Sequence, residues 1–183
     1  MASVLVPLAP GFEEIEAVTV VDLLRRAGVE VHVAGRDGTP VTGSRGITIV
    51  PELGFDALAA HRYDAVVLPG GQPGSDNLAA DGRILDLLRH QRESGGYVAA
   101  ICSAAVVLAR AGLLDNHRAT SFPGALGPEV LARMDYREEP VVVDGKLVTS
   151  RGPGTAMDFA LTLVSLLVGS DRRQKVEQRL LRP

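Results

Sequence analysis

Tyr97-Val98-Ala99-Ala100-Ile101-Cys102-Ser103-Ala104-Ala105-Val106-Val107-Leu108-Ala109-Arg110-Ala111-Gly112 joins two apolar runs through the only cysteine in the chain. Tyr97–Ile101 is a short continuous apolar run, the pattern of a strand buried on both faces. Ser103–Ala111 reads as a helix, and Gly112 stops it. Cys102 therefore sits where a strand ends and a helix begins. A helix start offers unpaired N–H groups and a positive dipole end, which favour the reactive thiolate. Free cysteine is also among the most buried residue types and often acts as a small hydrophobe. Position alone leaves both readings open.

The same alternation runs outward in both directions. Ser3–Leu8, Val29–Ala34 and Asp64–Leu68 read as strands, and Glu13–Ala27, Asp81–Glu93 and Gly154–Val168 as helices. Val41–Val50 reads as an antiparallel excursion, and Asp56 as the N-cap of a short helix through Ala60. Val141–Val143 and Leu147–Thr149 flank Asp144-Gly145, a two-residue hairpin signal. This pattern predicts one α/β domain over 1–183, a doubly wound, mostly parallel sheet with helices on both faces. Ligands bind such sheets beyond the carboxyl ends of the strands. Three loops leave there, at Pro10-Gly11, Pro69-Gly70-Gly71 and Cys102, and they are expected to meet at one crevice.

The formal net charge of -3 gives no reason to expect a nucleic-acid surface. The stretch Asp171–Arg182 is locally basic, and reads as a solvated helix or, second, as a polyanion site. A single cysteine cannot close a disulfide within the chain, which fits a reducing compartment. Val4-Leu5-Val6 is too short for a signal core. The apolar run from Ala156 to Val168 is shorter than the ~20 residues a bilayer span needs. A cytoplasmic protein without membrane attachment is expected.

Glu16 is the second candidate. It shares a helical stripe with Val20, Leu23 and Ala27, so it lies on the face that packs against the sheet. A buried carboxyl without a partner stays protonated, and then donates to a thiolate or acts as general acid/base. The competing reading is a solvated first-turn charge, the reading also given to Glu13 and Glu14. Gly70-Gly71 lets backbone N–H groups approach a ligand, and with Ser103 N–H they would stabilise an oxyanion. No nucleotide-binding glycine motif and no G-x-S-x-G occurs. His32, His61, His90 and His117 lack zinc-ligand spacing, so neither metal nor cofactor is expected. His117 reads as solvated.

Pro10-Gly11-Phe12-Glu13-Glu14-Ile15-Glu16, Val66-Val67-Leu68-Pro69-Gly70-Gly71, Ala99-Ala100-Ile101-Cys102 and Thr149-Ser150-Arg151-Gly152-Pro153-Gly154-Thr155 together resemble the ThiJ/PfpI superfamily. More narrowly, they resemble its branch of parkinsonism-associated deglycase ("DJ-one") and YajL-type proteins. The resemblance implies a flavodoxin-like fold and a homodimer. It implies that Cys102 is the reactive cysteine, that Glu16 is its carboxyl partner, and that Gly70, Gly71 and Ser103 supply N–H groups. It places Arg45, Gly152 and Pro153 near the dimer interface and the pocket. In Thr120-Ser121-Phe122-Pro123, Phe122 stands where relatives argued to act on dicarbonyls often carry a histidine.

The resemblance implies a stress-response protein acting on small aldehydes or glycated amines, by glyoxalase or deglycase chemistry through Cys102 and Glu16. The alternative is a redox sensor or chaperone working through oxidation of Cys102 to the sulfinate. A cysteine peptidase ranks last, because Phe122 supplies no activating imidazole.

Overall fold

The computed structural model describes residues 1–182, with backbone only at Ala59 and Ala60. Among the described residues the strands are β1 Ser3–Leu8, β2 Glu30–Gly35, β3 Val41–Thr42, β4 Thr48–Ile49, β5 Leu53–Gly54, β6 Ala65–Leu68, β7 Tyr97–Ile101, β8 Arg118–Ala119, β9 Asp135–Tyr136, β10 Val141–Asp144 and β11 Leu147–Ser150. The helices are α1 Glu14–Arg26, α2 Gly74–Ala79, α3 Gly82–Glu93, α4 Ala105–Arg110, α5 Pro128–Leu131, α6 Ala156–Val168 and α7 Ser170–Leu180.

Seven strands make the main sheet, in the order β10-β11-β7-β6-β1-β2-β5. All its pairings are parallel except the β10–β11 hairpin. The sequence β2-β1-β6-β7-β11 is the flavodoxin-like order, with its switch point between β1 and β6. Alternate residues of each strand feed opposite faces, as the two-residue strand period requires. On one face Val4, Val6, Val67 and Ile101 meet α1 and α6 through Leu23, Leu24, Phe159 and Leu163. On the other, Leu5, Val66, Leu68 and Val98 meet α2, α3 and α4 through Leu78, Ile84, Leu88 and Leu108. Each fully buried leucine contributes about 1.5–3 kcal/mol.

The structure revises four expectations in this region. Asp56 does not cap a helix: Phe55–Ala60 is a 3-10 segment starting after Gly54, and Asp56 instead accepts from Arg83 at 2.6 Å. Asp81 is the N-cap of α3 rather than its first residue, accepting from Arg83 N–H at 3.1 Å. The helix α2, which starts at Gly74 directly after Pro73, was not expected. His117 is not a free loop residue, since its Nδ1 lies 3.0 Å from Asp144 Oδ2.

The β3–β4 excursion is antiparallel, as expected, and α1 holds it down. Glu14, expected to be solvated, is 4% exposed. Its carboxylate accepts from Arg45 N–H at 2.7 Å and Ile47 N–H at 3.3 Å, and from the Ser44 hydroxyl at 3.3 Å. Gly43 packs so closely on Glu14 that a Cβ there would strike the carboxylate. These hydrogen bonds outweigh burial and hold the Glu14 carboxyl below its ordinary value of 4.5. Its stabilisation is therefore present above that value and fades as pH falls through the lowered one. Glu14→Ala is expected to cost about 1–3 kcal/mol by leaving those N–H groups unpaired. Denaturant melts, with faster hydrogen exchange at Arg45 and Ile47, would measure it. Unchanged exchange at both amides would contradict the clamp.

Candidate functional site

The three loops meet at the carboxyl ends of β1, β6 and β7. Glu13 N–H donates to Gly70 O at 2.8 Å, and Phe122 N–H donates to Cys102 O at 3.2 Å. Gly71 adopts φ +95°, and a Cβ there would collide with the backbone of Gly11 and Glu13. Glycine is thus required where the β6 loop crosses the β1 loop.

Cys102 follows directly on β7 with φ +64°. For a residue with a side chain this left-handed conformation costs about 1–3 kcal/mol, and such strain clusters at functional sites. Cys102 does not open an α-helix directly: Cys102–Ala104 is a 3-10 turn and α4 starts at Ala105. The sulfur therefore gains less from a helix dipole than the sequence implies, and the backbone of Ser103 is the group beside it that favours the thiolate. Cys102 is 8% exposed.

Glu16 is fully buried on α1, as its stripe requires. Oε2 accepts from Gly70 N–H at 2.6 Å, while Oε1 is buried with no hydrogen-bond partner. A Cβ built on Gly70 would lie 2.8 Å from both Cys102 Cβ and Glu16 Oε2. Gly70 is thus the gap across which thiol and carboxyl face each other. Gly70→Ala would have to push one of them aside, and overpacking of this kind costs about 1–3 kcal/mol. We expect a lower melting midpoint and slower alkylation of Cys102 by iodoacetamide; wild-type alkylation would refute the packing argument.

Burial pushes Glu16 up from 4.5 to about 7, against the Gly70 N–H, which favours the carboxylate. Burial, and then the negative charge of ionised Glu16, push Cys102 up from 9.0 to about 12, against the Ser103 N–H. The lowered thiol pKa expected at a strand-to-helix turn is therefore not found. The costly state is the one with two buried negative charges. Near neutrality the pair carries at most one. When Glu16 is protonated, the repulsion acting on sulfur disappears.

Both glycine N–H groups are already engaged, Gly70 with Glu16 and Gly71 with Ser103 Oγ at 3.0 Å. Ser103 Oγ also lies 2.8 Å from Ser75 Oγ, which ties the cysteine turn to α2. Of the three N–H donors expected for an oxyanion, Ser103 N–H is the one not engaged by Glu16 or by Ser103 Oγ. Phe122, 47% exposed, borders Gly152, where a Cβ would lie 3.4 Å from its ring. Gly152 N–H donates to Thr155 Oγ1 at 3.2 Å, and Pro153 begins the 3-10 turn leading into α6. Arg45 is exposed and linked to α1 through its backbone N–H.

The histidines stand elsewhere. His32 meets His61 and Tyr63 edge-on, and His117 lies at the far end of β8 from Phe122. His90 lines a hollow beside the amino end of β7. Among the described residues, no group of three or more histidine, cysteine or acidic side chains is placed to hold a metal ion. No helix among them is long and apolar enough to cross a membrane.

A strained cysteine opposite a buried glutamic acid, at the switch point of a flavodoxin-like sheet, defines a cysteine–carboxyl site. The DJ-1/PfpI family model matches residues 2–166, and the chain belongs to that family. It is 44% identical over 181 residues to Protein dj-1beta of Drosophila melanogaster, covering 98% of this chain and 96% of the relative. The crystal structure of Drosophila melanogaster DJ-1beta superposes with a TM-score of 0.95 at 43% identity, covering 100% of this chain and 98% of that one. The glutathione-independent glyoxalase DJR-1.2 of Caenorhabditis elegans is 35% identical over 160 residues, covering 87% of this chain and 85% of the relative.

Proposed function

We propose that the chain consumes small reactive dicarbonyls through Cys102 and Glu16. The observation that carries this reading is the Glu16 carboxyl, raised to about 7 and facing the thiol across Gly70. An acid/base group works best when its pKa lies near the working pH. With methylglyoxal, ionised Glu16 takes the thiol proton as sulfur attacks the aldehyde carbon. It returns that proton to the carbonyl oxygen, giving a neutral hemithioacetal. Glu16 then removes the proton on the former aldehyde carbon and delivers it to the neighbouring carbon, while the hydroxyl proton of the hemithioacetal passes to the former ketone oxygen, leaving a lactoyl thioester. Water hydrolyses the thioester to lactate and restores the thiol.

The nearly buried Cys102 favours a small aldehyde over a glycated protein side chain, and the glyoxalase named among the relatives supports the same chemistry. The test follows methylglyoxal loss and lactate gain, with buffer-catalysed loss subtracted. Loss without lactate, or no loss above buffer, would refute it.

One observation favours a second, redox reading. Glu16 Oε1 has no partner, so a protonated carboxyl there is free to donate to an oxidised sulfur. Under mild peroxide, two oxygens added to Cys102 in the intact mass would support it, and oxidation confined to methionine would oppose it. Ile15, Val18, Ile47 and Val50 are exposed on α1 and the β3–β4 region. Val18 and Val50 line one hollow with Val21 and Ile49. A face this apolar fits a second copy of the chain, and a dimer mass by light scattering is expected.

A further inference from the structure

The basic stretch at the end of the chain forms α7, and its charges are not spread evenly around the helix. At 100° per residue, Arg172, Lys175 and Arg179 fall within about 60° of arc. Beside them Val176, 4% exposed, packs into the core cluster shared with α1. The three cations thus flank the side of α7 turned toward the protein. There they close a hollow of about 140 Å³ whose other lining residues are Val176 and Arg26, in the last turn of α1.

The charge in this hollow is poorly compensated. Arg26 pairs with Asp22 at 2.7 Å, but Arg172, Lys175 and Arg179 have no ion pair among the described residues. Glu177 is occupied elsewhere, within 4.0 Å of Arg173 and Arg182. Four cations and one carboxylate therefore gather in a chain whose formal net charge is -3. Like charges three and four residues apart destabilise a helix. Arg172, in the first turn, also opposes the helix dipole. An anion in the hollow would relieve both penalties.

We infer that the hollow between α7 and the carboxyl end of α1 binds the phosphate groups of a small phosphate-bearing anion. Guanidinium forks match phosphate oxygens in pairs, and lysine adds a point charge. The hollow has room for one or two phosphate groups. Four cations around one point suit a compact anion, whereas an extended nucleic acid would meet a net negative protein surface beyond it.

Calorimetric titration of the full chain with inorganic pyrophosphate at low ionic strength tests the site. Saturable binding that weakens with added salt is expected. Lys175→Ala with Arg179→Ala should weaken it at least tenfold, with a melting midpoint no lower than the wild type's. Arg172→Gln is the milder second variant, should the double variant not fold. Arg110→Ala, an exposed cation on α4 across the sheet, should bind as the wild type. If ADP binds more tightly than pyrophosphate, the phosphates belong to a nucleotide; equal affinity assigns free pyrophosphate. Absence of saturable binding would overturn the site. So would full binding by the double variant, or RNA binding that pyrophosphate does not compete.

Discussion

Cys102→Ala is expected to reduce methylglyoxal consumption to the buffer-catalysed rate. The chain has no second cysteine, and no histidine stands at the site to offer another nucleophile. Serial transfer of one proton by Glu16 requires a covalent adduct, because an unbound dicarbonyl in water is not held with both carbons within reach of one carboxyl. The variant should still fold. The lost sulfur is one buried atom, and its removal costs about 1 kcal/mol. A melting curve near the wild-type midpoint together with zero net lactate is the expected pair of results. Wild-type turnover by the purified variant would end the covalent reading outright.

Glu16→Gln is expected to lower kcat by about 10²–10⁴-fold, the usual contribution of a positioned acid/base group. Glutamine keeps the shape and can still accept from Gly70 N–H, but it cannot carry the proton between carbons. KM should change little, because binding at the mouth of the site is untouched. A second signature separates this role from packing. Glu16 has its folded value near 7, above the ordinary 4.5. The folded chain thus holds this proton more tightly than the unfolded one. Its stabilisation is complete below pH 4.5 and is lost as pH rises through about 7. Denaturation measured from pH 4.5 to 8 should show that decline in the wild type and not in Glu16→Gln. An unchanged slope in the variant, or unchanged kcat, would remove Glu16 from the chemistry.

Much of this arrangement is legible in the residues. The Tyr97–Ile101 run gives β7 to the residue, and the stripe through Val20, Leu23 and Ala27 places Glu16 in the core. Both signals are periodic and local. The features that escaped are set by partners far away in sequence. Glu14 differs from Glu13 only because Arg45 and Ile47 present their N–H groups to it, 31 and 33 residues on. Gly43 is the one trace of that contact, and a lone glycine reads equally well as a turn. The short helix α2 is hidden by Pro73 and Gly74 at its start, and is held by Ser75 against Ser103. The acidity of Cys102 was misjudged because a strand-to-helix junction does not reveal that the first turn is 3-10, nor how deeply the sulfur is buried.

The engagement of the Gly70 and Gly71 N–H groups has a consequence for which electrophiles the thiol can process. Attack on an amide passes through a tetrahedral anion whose oxygen must be held by several donors until the amine departs. Here two of the three nearby amides are spent on Glu16 and Ser103. Addition to an aldehyde needs no such cradle, since one proton from Glu16 neutralises the adduct's oxygen. Only the later thioester hydrolysis passes through a tetrahedral anion, and a thiol leaves it more readily than an amine leaves an amide adduct. On the proposed chemistry, the same loop that seats the carboxyl favours aldehydes over peptide bonds.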